Sequence, residues 1–397
     1  MTLHRGTSLL LNIGHALDHM FLLIFATAVT SIAIEFGFAR WEDLMPYSAG
    51  AFLLFGLGSV PAGRLGDLWG RRSMMLIFFF GMGGAALVCA TARNAWQMAA
   101  ALGLLGAFSS IYHPVGIPML VQHARKPGTT IGINGLAGNL GIAFAAVLTG
   151  FMVKYIGWRA AFVVPGLLAI VCGFVFMHVT PIETESPARR KGKAAVSLPP
   201  EVLARLFLVM TCAAISSSLL FNFTTNGNGQ LLRERFMGVV DDPAQLGIML
   251  AAVYAVASFA QVIVGRLIDR YPLKRLYFGI VLLQIPMVLL AAQAQGWLLL
   301  CLQAGFMVAI FGAIPFTDAM IVRYVDDGMR SRVSGMRLAV SFGISSLAVY
   351  LLGPAVKAAG FTHLLQVMAA IACCTAVFVL MLPVESSGKA TAGNKLA

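Results

Sequence analysis

Charged residues are scarce in this sequence, where they make up 11% of 397 residues, against about a quarter in soluble proteins. Hydrophobic residues account for 59% of the chain, and its mean hydropathy is +0.85. This composition excludes an ordinary soluble enzyme. The length instead suits a dozen membrane-spanning helices, because each span needs about 20 apolar residues.

The sequence signals of catalysis are also missing. There is no GxxxxGK[ST] phosphate loop, no nucleophile placed beside a general base, and no CxxC among the six cysteines. All six cysteines lie in apolar runs and are expected to be small buried hydrophobic residues, not disulfides. We therefore expect no enzymatic activity, no cofactor and no use of ATP as the energy source.

Apolar runs separated by short polar breaks predict twelve spans and an all-α polytopic membrane protein. The predicted spans are 8–34, 44–63, 73–91, 96–121, 129–153, 158–179, 203–226, 244–266, 274–294, 297–323, 331–356 and 362–382. The expected domains are an N-terminal six-helix bundle at 1–180, a basic cytoplasmic linker at 181–200, a C-terminal six-helix bundle at 201–383 and a flexible cytoplasmic tail at 384–397. The first apolar run is expected to be a retained span and not a cleaved signal.

The net charge of +12 comes from basic residues that collect on one side of the predicted membrane. Of the 28 Lys and Arg, 21 lie on the side of both termini and the linker, and 7 lie on the other side. Because cytoplasmic loops are enriched in Lys and Arg, both termini are predicted to be cytoplasmic, in the inner or plasma membrane of the cell. Nucleic acid is not an expected partner.

The two halves of the chain repeat a short loop. Gly63-Arg64-Leu65-Gly66-Asp67 follows the second span, and Gly265-Arg266-Leu267-Ile268-Asp269 follows the eighth span 202 residues later. The same offset pairs Gly141 with Gly343. A duplicated six-span unit suits alternating access, in which one half rocks against the other around a central site. A separate pattern, a glycine at every third residue from 132 to 141, predicts close helix contact.

The complete loop from Gly63 to Arg72 resembles the signature loop of the major facilitator superfamily, and residues 265–275 resemble its second copy. The resemblance implies the major facilitator fold, with twelve helices in two pseudo-symmetric bundles, and it implies that these loops gate the cytoplasmic side. The residues predicted to gate are Gly63, Arg64, Gly66, Asp67, Gly70, Arg71, Arg72, Gly265, Arg266 and Asp269.

Three further stretches resemble the fosmidomycin-resistance type of efflux transporter. They are Gly14-His15-Ala16-Leu17-Asp18-His19-Met20, Ser109-Ser110-Ile111-Tyr112-His113-Pro114 and Gly138-Asn139-Leu140-Gly141. Asn139 is accordingly predicted to contact the substrate. That type tends to have an acid where this chain has His19, an amide at Asp18 and an acid at Val115, and these departures leave the substrate open.

The first span carries the ionisable residues that are predicted to couple transport to protons. Within a membrane an ionisable group costs at least about 2.5 kcal/mol unless it faces protein or water, and it is by default a functional candidate. His15, Asp18 and His19 share one face of the helix, with Asn12 one turn earlier as a predicted substrate contact. A carboxylate beside imidazoles can exchange a proton. The alternative is that Asp18 only pairs with a histidine or a partner helix.

Polar residues on other spans are also predicted to bind substrate. They are His113, next to the helix-kinking Pro114, then Asn222, Asn226 and Gln230 in the seventh span, and Asp318 in the tenth. Each has a structural alternative: His113 could satisfy a carbonyl that Pro114 frees, the amides could join helices, and Asp318 could form a structural or gating pair with Arg337. The run from Asn226 to Gly229 is predicted to end or loosen its helix.

Twenty methionines leave a second function open. His15, His19, Met20, His113 and Met119 offer imidazole and thioether donors of the kind that copper accepts, which would make the chain a copper-type uptake permease on the same fold. Methionine also fills gaps between apolar helices, so no metal is assigned to the predicted site.

The favoured prediction is a secondary active transporter that moves a small organic solute or drug by alternating access, as a proton-coupled efflux antiporter. Its partners are the solute, protons and the lipid bilayer, and the resemblance implies a monomer. The sequence does not fix the substrate or the direction of transport.

Overall fold

The computed structural model describes residues 5–122, 124, 126–183, 200–324 and 327–382, with the backbone alone for 127, 200–206 and 322–332. The helices are α1 (Arg5–Glu35), α2 (Trp41–Leu44), α3 (Ala49–Trp69), α4 (Arg71–Ala90), α5 (Ala95–Ser109), α6 (Ile117–Val121), α7 (Pro127–Tyr155), α8 (Trp158–Val179), α9 (Pro200–Phe236), α10 (Pro243–Ile268), α11 (Leu273–Gln293), α12 (Gly296–Ala313), α13 (Pro315–Tyr324) and α14 (Asp327–Leu380). The predicted tail at 384–397 and all of the predicted linker except 181–183 and 200 lie outside the described residues.

Within the part of the chain that the structure describes, eleven helical stretches are long and apolar enough to cross a membrane. The last of them, Val333–Leu380, has 48 residues, more than twice the length of about 20 residues that one span needs. Gly360 interrupts it with a φ of 76° and a ψ of 170°, a conformation that favours glycine. The chain therefore crosses the membrane twelve times, as predicted, in two pseudo-symmetric six-helix halves.

The seventh span departs from its predicted boundary. It was predicted to end or loosen between Asn226 and Gly229, but α9 continues as a helix to Phe236. Asn226 Nδ2 donates to the carbonyl of Asn222 one turn earlier, and the position of Gly227 is enclosed by neighbouring side chains. Packing thus overrides the weak helix propensity of this run, and the predicted helix end is wrong.

The fourth span of each half is broken near its middle at a proline. In the first half Tyr112–Gly116 forms a π turn between α5 and α6, which confirms the irregularity expected at Pro114. In the second half α12 ends at Ala313 and α13 begins at Pro315. Proline has no N–H to donate and displaces the preceding turn, so the helix ladder opens at both places.

The two halves meet along two helix pairs, α3 with α14 and α7 with α10. A Cβ placed on Gly56 would lie 2.9 Å from the backbone nitrogen of Gly343, and one on Gly132 would lie 2.8 Å from the carbonyl oxygen of Gln261. Small residues permit such close backbone approach between membrane helices. The contact predicted from the glycine spacing of α7 is confirmed.

Outward-facing helix surfaces are strongly apolar. On α8, Leu167, Val171 and Phe174 are each about half exposed, a pattern that would promote aggregation in water and is stable in lipid. Cys301, Cys373 and Cys374 are exposed as well, so the expectation that all cysteines are buried is wrong for these three. In a bilayer an apolar position needs no burial by protein.

Candidate functional site

Three histidine rings meet at the centre of the N-terminal half, and we name them the histidine triangle. His15 and His19 lie one turn apart on α1 with ring centroids 4.5 Å apart. The π turn places the His113 ring 5.0 Å from that of His15 and 5.7 Å from that of His19. One ring nitrogen from each residue lies within 4.8 Å of the others. The shared face of α1 could be predicted from spacing, whereas the approach of His113 depends on how the fourth span packs.

Asp18 lies beside the histidine triangle and is fully buried. Its Oδ1 accepts a hydrogen bond from the hydroxyl of Ser109, and its Oδ2 is 3.7 Å from Nε2 of His113. The partners of Asp18 are therefore on the fourth span, and not the histidines of its own helix. A carboxyl group and an imidazole at this separation can exchange a proton after a small movement of either helix.

Asn134 supports the triangle and was not among the predicted site residues. His15 Nδ1 lies 2.8 Å from its backbone carbonyl oxygen, and its side-chain nitrogen donates to Asn12 Oδ1 and to the Tyr112 hydroxyl, both at 2.8 Å. The Tyr112 hydroxyl donates to the carbonyl of Leu11, and its ring stacks on His15. Asn12 thus reaches the site through Asn134. An amide in the apolar sequence of α7 was the signal that could have found it.

A central cavity opens beside the triangle. Its lining residues come from both halves: His19, His113, Ala214, Ser217, Ser218, Phe221, Ala313, Ile314, Thr317, Asp318, Arg337, Leu338, Ser341 and Phe342. The walls are apolar apart from hydroxyl groups, two imidazoles and one ion pair. Such a lining, with few polar groups in an apolar surface, is typical of small-molecule sites.

Asp318 and Arg337 form the ion pair in the cavity wall. Arg337 Nη2 lies 2.8 Å from Asp318 Oδ1, and Arg337 also donates to the hydroxyl of Thr317. Both side chains are little exposed, at 13% and 12%. The pairing considered from the sequence is confirmed, and it lies on the cavity, so the contact is compatible with either a gating or a substrate role.

The predicted amide contacts separate into different places. Asn222 lines a smaller cavity next to His19 and donates its Nδ2 to its own helix, as does Asn226. Gln230 accepts from Thr30 at 3.4 Å and lines a different cleft. Asn139 is fully buried, and among the described residues neither of its amide atoms has a hydrogen-bond partner.

The segment from Gly63 to Arg72 was predicted as a loop, but α3 continues to Trp69 and α4 begins at Arg71, so only Gly70 is outside a helix. We name the end of the molecule that carries this segment the loop end. Arg71 is fully buried there and donates to the carbonyl of Pro118 and the side chain of Gln122. Arg72 donates to carbonyl oxygens in the last turn of α8. These bonds bridge helix ends within the N-terminal half, and the gating role stays a prediction.

The second copy of the loop reaches across the halves. Asp269 accepts from the backbone nitrogen of Thr129 at 3.1 Å and from its hydroxyl at 2.8 Å. A carboxylate at the N-terminus of α7 also interacts favourably with the helix dipole. Asp67, the equivalent acid of the first copy, is buried, whereas Arg64 and Arg266 are exposed.

At the opposite end, which we name the far end, two ion pairs join the halves. Lys357 Nζ lies 2.6 Å from Asp43 Oδ1, and Lys154 donates to Asp242. The hydrogen bond from Lys154 holds the pKa of Asp242 below its ordinary value. The halves are thus linked at both ends, with the central cavity between the links.

Comparisons with known proteins agree with this architecture. The model of the Major Facilitator Superfamily matches residues 11–232 and 236–396. The multidrug resistance protein MdtG of Dickeya zeae is 22% identical over 333 residues, which cover 81% of this chain and 79% of that protein. The human organic anion transporter MFSD10 (TETRAN) superposes with a TM-score of 0.74 at 16% identity, over 94% of this chain and 99% of its own.

Other relatives match over shorter segments. The "Probable actinorhodin transporter" of Streptomyces coelicolor is 29% identical over 152 residues, 36% of this chain and 26% of that protein. The tetracenomycin C resistance and export protein of Streptomyces glaucescens is 27% identical over 164 residues, 39% of this chain and 29% of that protein. The match to either protein therefore spans less than a third of its length. Since the family model covers nearly all of the chain and the twelve-span fold agrees with it, this protein belongs to the major facilitator superfamily and is a membrane transporter, not an enzyme.

Proposed function

We propose that this protein is a proton-coupled exporter of small, partly aromatic organic solutes that works by alternating access. The observation that carries the proposal is the contact between Asp18, His113 and the central cavity. Asp18 is buried against His113, and His113 is itself part of the cavity wall. A change in the protonation of this pair therefore changes the charge of the cavity wall where a solute would bind.

The lining of the cavity supports an organic solute. Its surface is mostly apolar, with a few hydroxyl, imidazole and charged groups from both halves, as is typical of small-molecule sites. Phe221 and Phe342 offer aromatic faces, Ser217 and Ser341 offer hydroxyl groups, and Arg337 offers a cationic group that is already paired. This combination favours a flat, amphipathic molecule over a simple inorganic anion.

Alternating access is supported by the way the halves are joined. Each end is held by a few polar bonds between the halves, Asp269 with Thr129 at the loop end and Lys154 with Asp242 at the far end. Such bonds can open at one end while the other stays closed. The glycine-lined helix pairs between the ends provide surfaces on which the halves can rock.

Relatives and charge distribution support export and orientation. Three of the relatives above are named for multidrug resistance or for the transport or export of organic compounds. We further propose that the loop end, which carries most of the basic residues, faces the cytoplasm, and that the protein works as a monomer. The resemblance to the fosmidomycin-resistance type stays a prediction, because these relatives are named for other cargoes.

The proposal is tested with purified protein in liposomes that carry a pH gradient. Uptake into these liposomes is measured for actinorhodin, tetracenomycin C, gallate and ethidium, with and without the gradient. We expect at least one of these compounds to accumulate only when the gradient is present. In the Asp18→Asn variant gradient-driven accumulation should fall to background while binding of the same compound persists.

Glu35→Gln is the matched control, because Glu35 is the other acid of α1 and bonds Trp158 and Arg159 within the same half. This variant should keep gradient-driven transport. Unchanged transport in Asp18→Asn would refute the coupling role of Asp18. Failure of the folded protein to transport or bind any of the four compounds would refute the proposed solute class.

A further inference from the structure

We infer that the histidine triangle is a binding site for a divalent first-row transition-metal ion. This inference goes beyond the proposed function, since it concerns a ligand of the protein and not the solute that is moved. It rests on the arrangement of the ring nitrogens of His15, His19 and His113, one from each ring within 4.8 Å of the others.

Each ring presents one buried nitrogen that has no hydrogen-bond partner among the described residues. These atoms are His15 Nε2, His19 Nδ1 and His113 Nδ1. Buried polar atoms without a partner are rare in native proteins and call for a ligand, a water or an ion. Three such atoms lie on adjoining rings, and one nitrogen of each ring lies within 4.8 Å of the others.

In His15 and His113, the second ring nitrogen faces an acceptor group. The second nitrogen of a metal-binding histidine has the same kind of neighbour. His15 Nδ1 lies 2.8 Å from the carbonyl oxygen of Asn134, which fixes Nδ1 as the protonated nitrogen and leaves Nε2 as a lone-pair donor. His113 Nε2 faces Asp18 Oδ2 at 3.7 Å, so its Nδ1 is the free donor. Metal-binding histidines almost always direct their second nitrogen at a carbonyl or a carboxylate in this way, which orients the ring.

The donor types select the class of metal. Three imidazoles with a neighbouring carboxylate suit Zn²⁺, Co²⁺, Ni²⁺ and Cu²⁺, whereas Mg²⁺ and Ca²⁺ prefer oxygen donors alone. Met20 and Met119, considered from the sequence as soft ligands, are buried in the hydrophobic core and are not among the residues that line the two central cavities. The site therefore differs from the Cu(I) site that thioether ligands would have indicated.

Closing the site requires small ring movements. Tetrahedral coordination with metal–nitrogen bonds of about 2.0–2.1 Å brings the donor nitrogens to about 3.4 Å from one another. Rotation of the His19 and His113 rings can supply this closure, because both also border the cavity. Asp18, fully buried beside them, offers a negative charge that compensates the metal ion.

The test measures metal binding by the purified full-length protein, prepared with an affinity tag that contains no histidine. Equilibrium dialysis against Zn²⁺, Co²⁺ and Ni²⁺ should give one ion per chain. His19→Ala and His113→Ala should each weaken binding at least about tenfold, in line with losses seen at well-organised metal sites. The Co²⁺ form should show the visible absorption of a four-coordinate ion, and this spectrum should change in Asp18→Asn.

His178→Ala and His363→Ala are the matched controls, because both residues are exposed and each bonds a carbonyl of its own helix. They should bind metal as the unchanged protein does. His113→Gln keeps a polar side chain of similar size, and it replaces His113→Ala if that variant does not fold. The metal-free unfolding temperature of every variant is recorded.

Absence of stoichiometric binding, or binding that survives both triangle substitutions, would overturn the metal site. Neither result bears on solute transport, which is measured without added metal. The metal site and the proposed export can therefore fail separately.

Discussion

The two halves of this transporter place different chemistry at equivalent positions. The residues 202 positions after His15 and His19 are Ser217 and Phe221, and both line the central cavity. The residue at the same distance from Asp18 is Leu220, which is buried. A titratable helix face in the N-terminal half thus corresponds to a hydroxyl and aromatic face in the C-terminal half.

The broken fourth spans repeat the contrast. In the first half the break carries His113, whose nearest charged partner is the buried Asp18. In the second half the break is followed by Asp318, which is paired with Arg337. Both halves thus interrupt this span at a proline, the first by a π turn and the second by a break at Ile314. The proton and metal chemistry that we propose belongs to the first half, whereas the second half holds a fixed ion pair.

The largest effect on stability is expected from breaking the fixed pair of the C-terminal half. Asp318→Leu leaves Arg337 as an unpaired charge in a little-exposed site, which should cost about 3 kcal/mol of unfolding free energy. Asp18→Asn should cost less, because it leaves no opposite charge behind. The measurement is the unfolding of both variants in detergent, followed by tryptophan fluorescence.

The double variant Asp318→Leu with Arg337→Met is the control for this comparison. Replacing both members of a buried pair by apolar residues is often neutral, so most of the lost stability should return. Equal instability in the single and double variants would show that Asp318 contributes through packing and not through its charge.

A smaller effect is expected from two glycines that the repeat makes equivalent. A Cβ on Gly141 would lie 2.0 Å from the carbonyl oxygen of Ala16, whereas one on Gly343 would meet nothing within 4 Å. Gly141→Ala should force α1 and α7 apart at a cost of about 1–3 kcal/mol. Gly343→Ala should be neutral or stabilising, because alanine is the better helix former by about 1 kcal/mol.

Thermal unfolding of the two glycine variants checks this pair directly. The prediction concerns their difference, so a shared effect of alanine on either helix cancels. If Gly343→Ala were the more damaging substitution, the tight contact at Gly141 and the open space at Gly343 would both be contradicted.

Much of the fold followed from the sequence because membrane spans obey strong, local rules. Apolar run length gave all twelve spans, and the glycine spacing of α7 predicted its close contacts. The helix end expected at Gly227 and Gly229 was wrong, since propensity is weak against the packing of a buried helix. The exposed Cys301 shows the same limit, because sequence alone does not distinguish a lipid-facing from a protein-facing apolar position.

The candidate site was only partly predictable. Helical spacing placed His15, Asp18 and His19 on one face, and charge complementarity suggested Asp318 with Arg337. The approach of His113 depends on the π turn between α5 and α6, and the support from Asn134 depends on the rotation of α7 about its axis. No local pattern encodes either of them. Residues from separate spans meet through packing, and packing is a property of the whole bundle.

The smallest effect on stability concerns an acid of the C-terminal half that lies outside the proposed coupling site. The hydrogen bond from Lys154 lowers the pKa of Asp242 in the folded protein. A lowered folded pKa means that this contribution to stability is complete above the unfolded value of about 4 and is lost as the pH falls through the folded value.

The Asp242→Asn variant tests this contribution. Its side chain can keep the cap on the nitrogen of Ala244, so the substitution removes mainly the charge. The unchanged protein should unfold at a slightly higher temperature than the variant at neutral pH, and the difference should shrink as the pH falls below about 4. A difference that persisted in acid would assign the effect to the cap and not to the lysine. Whatever its rate, transport by the variant should still require the pH gradient, which would keep proton coupling in the N-terminal half.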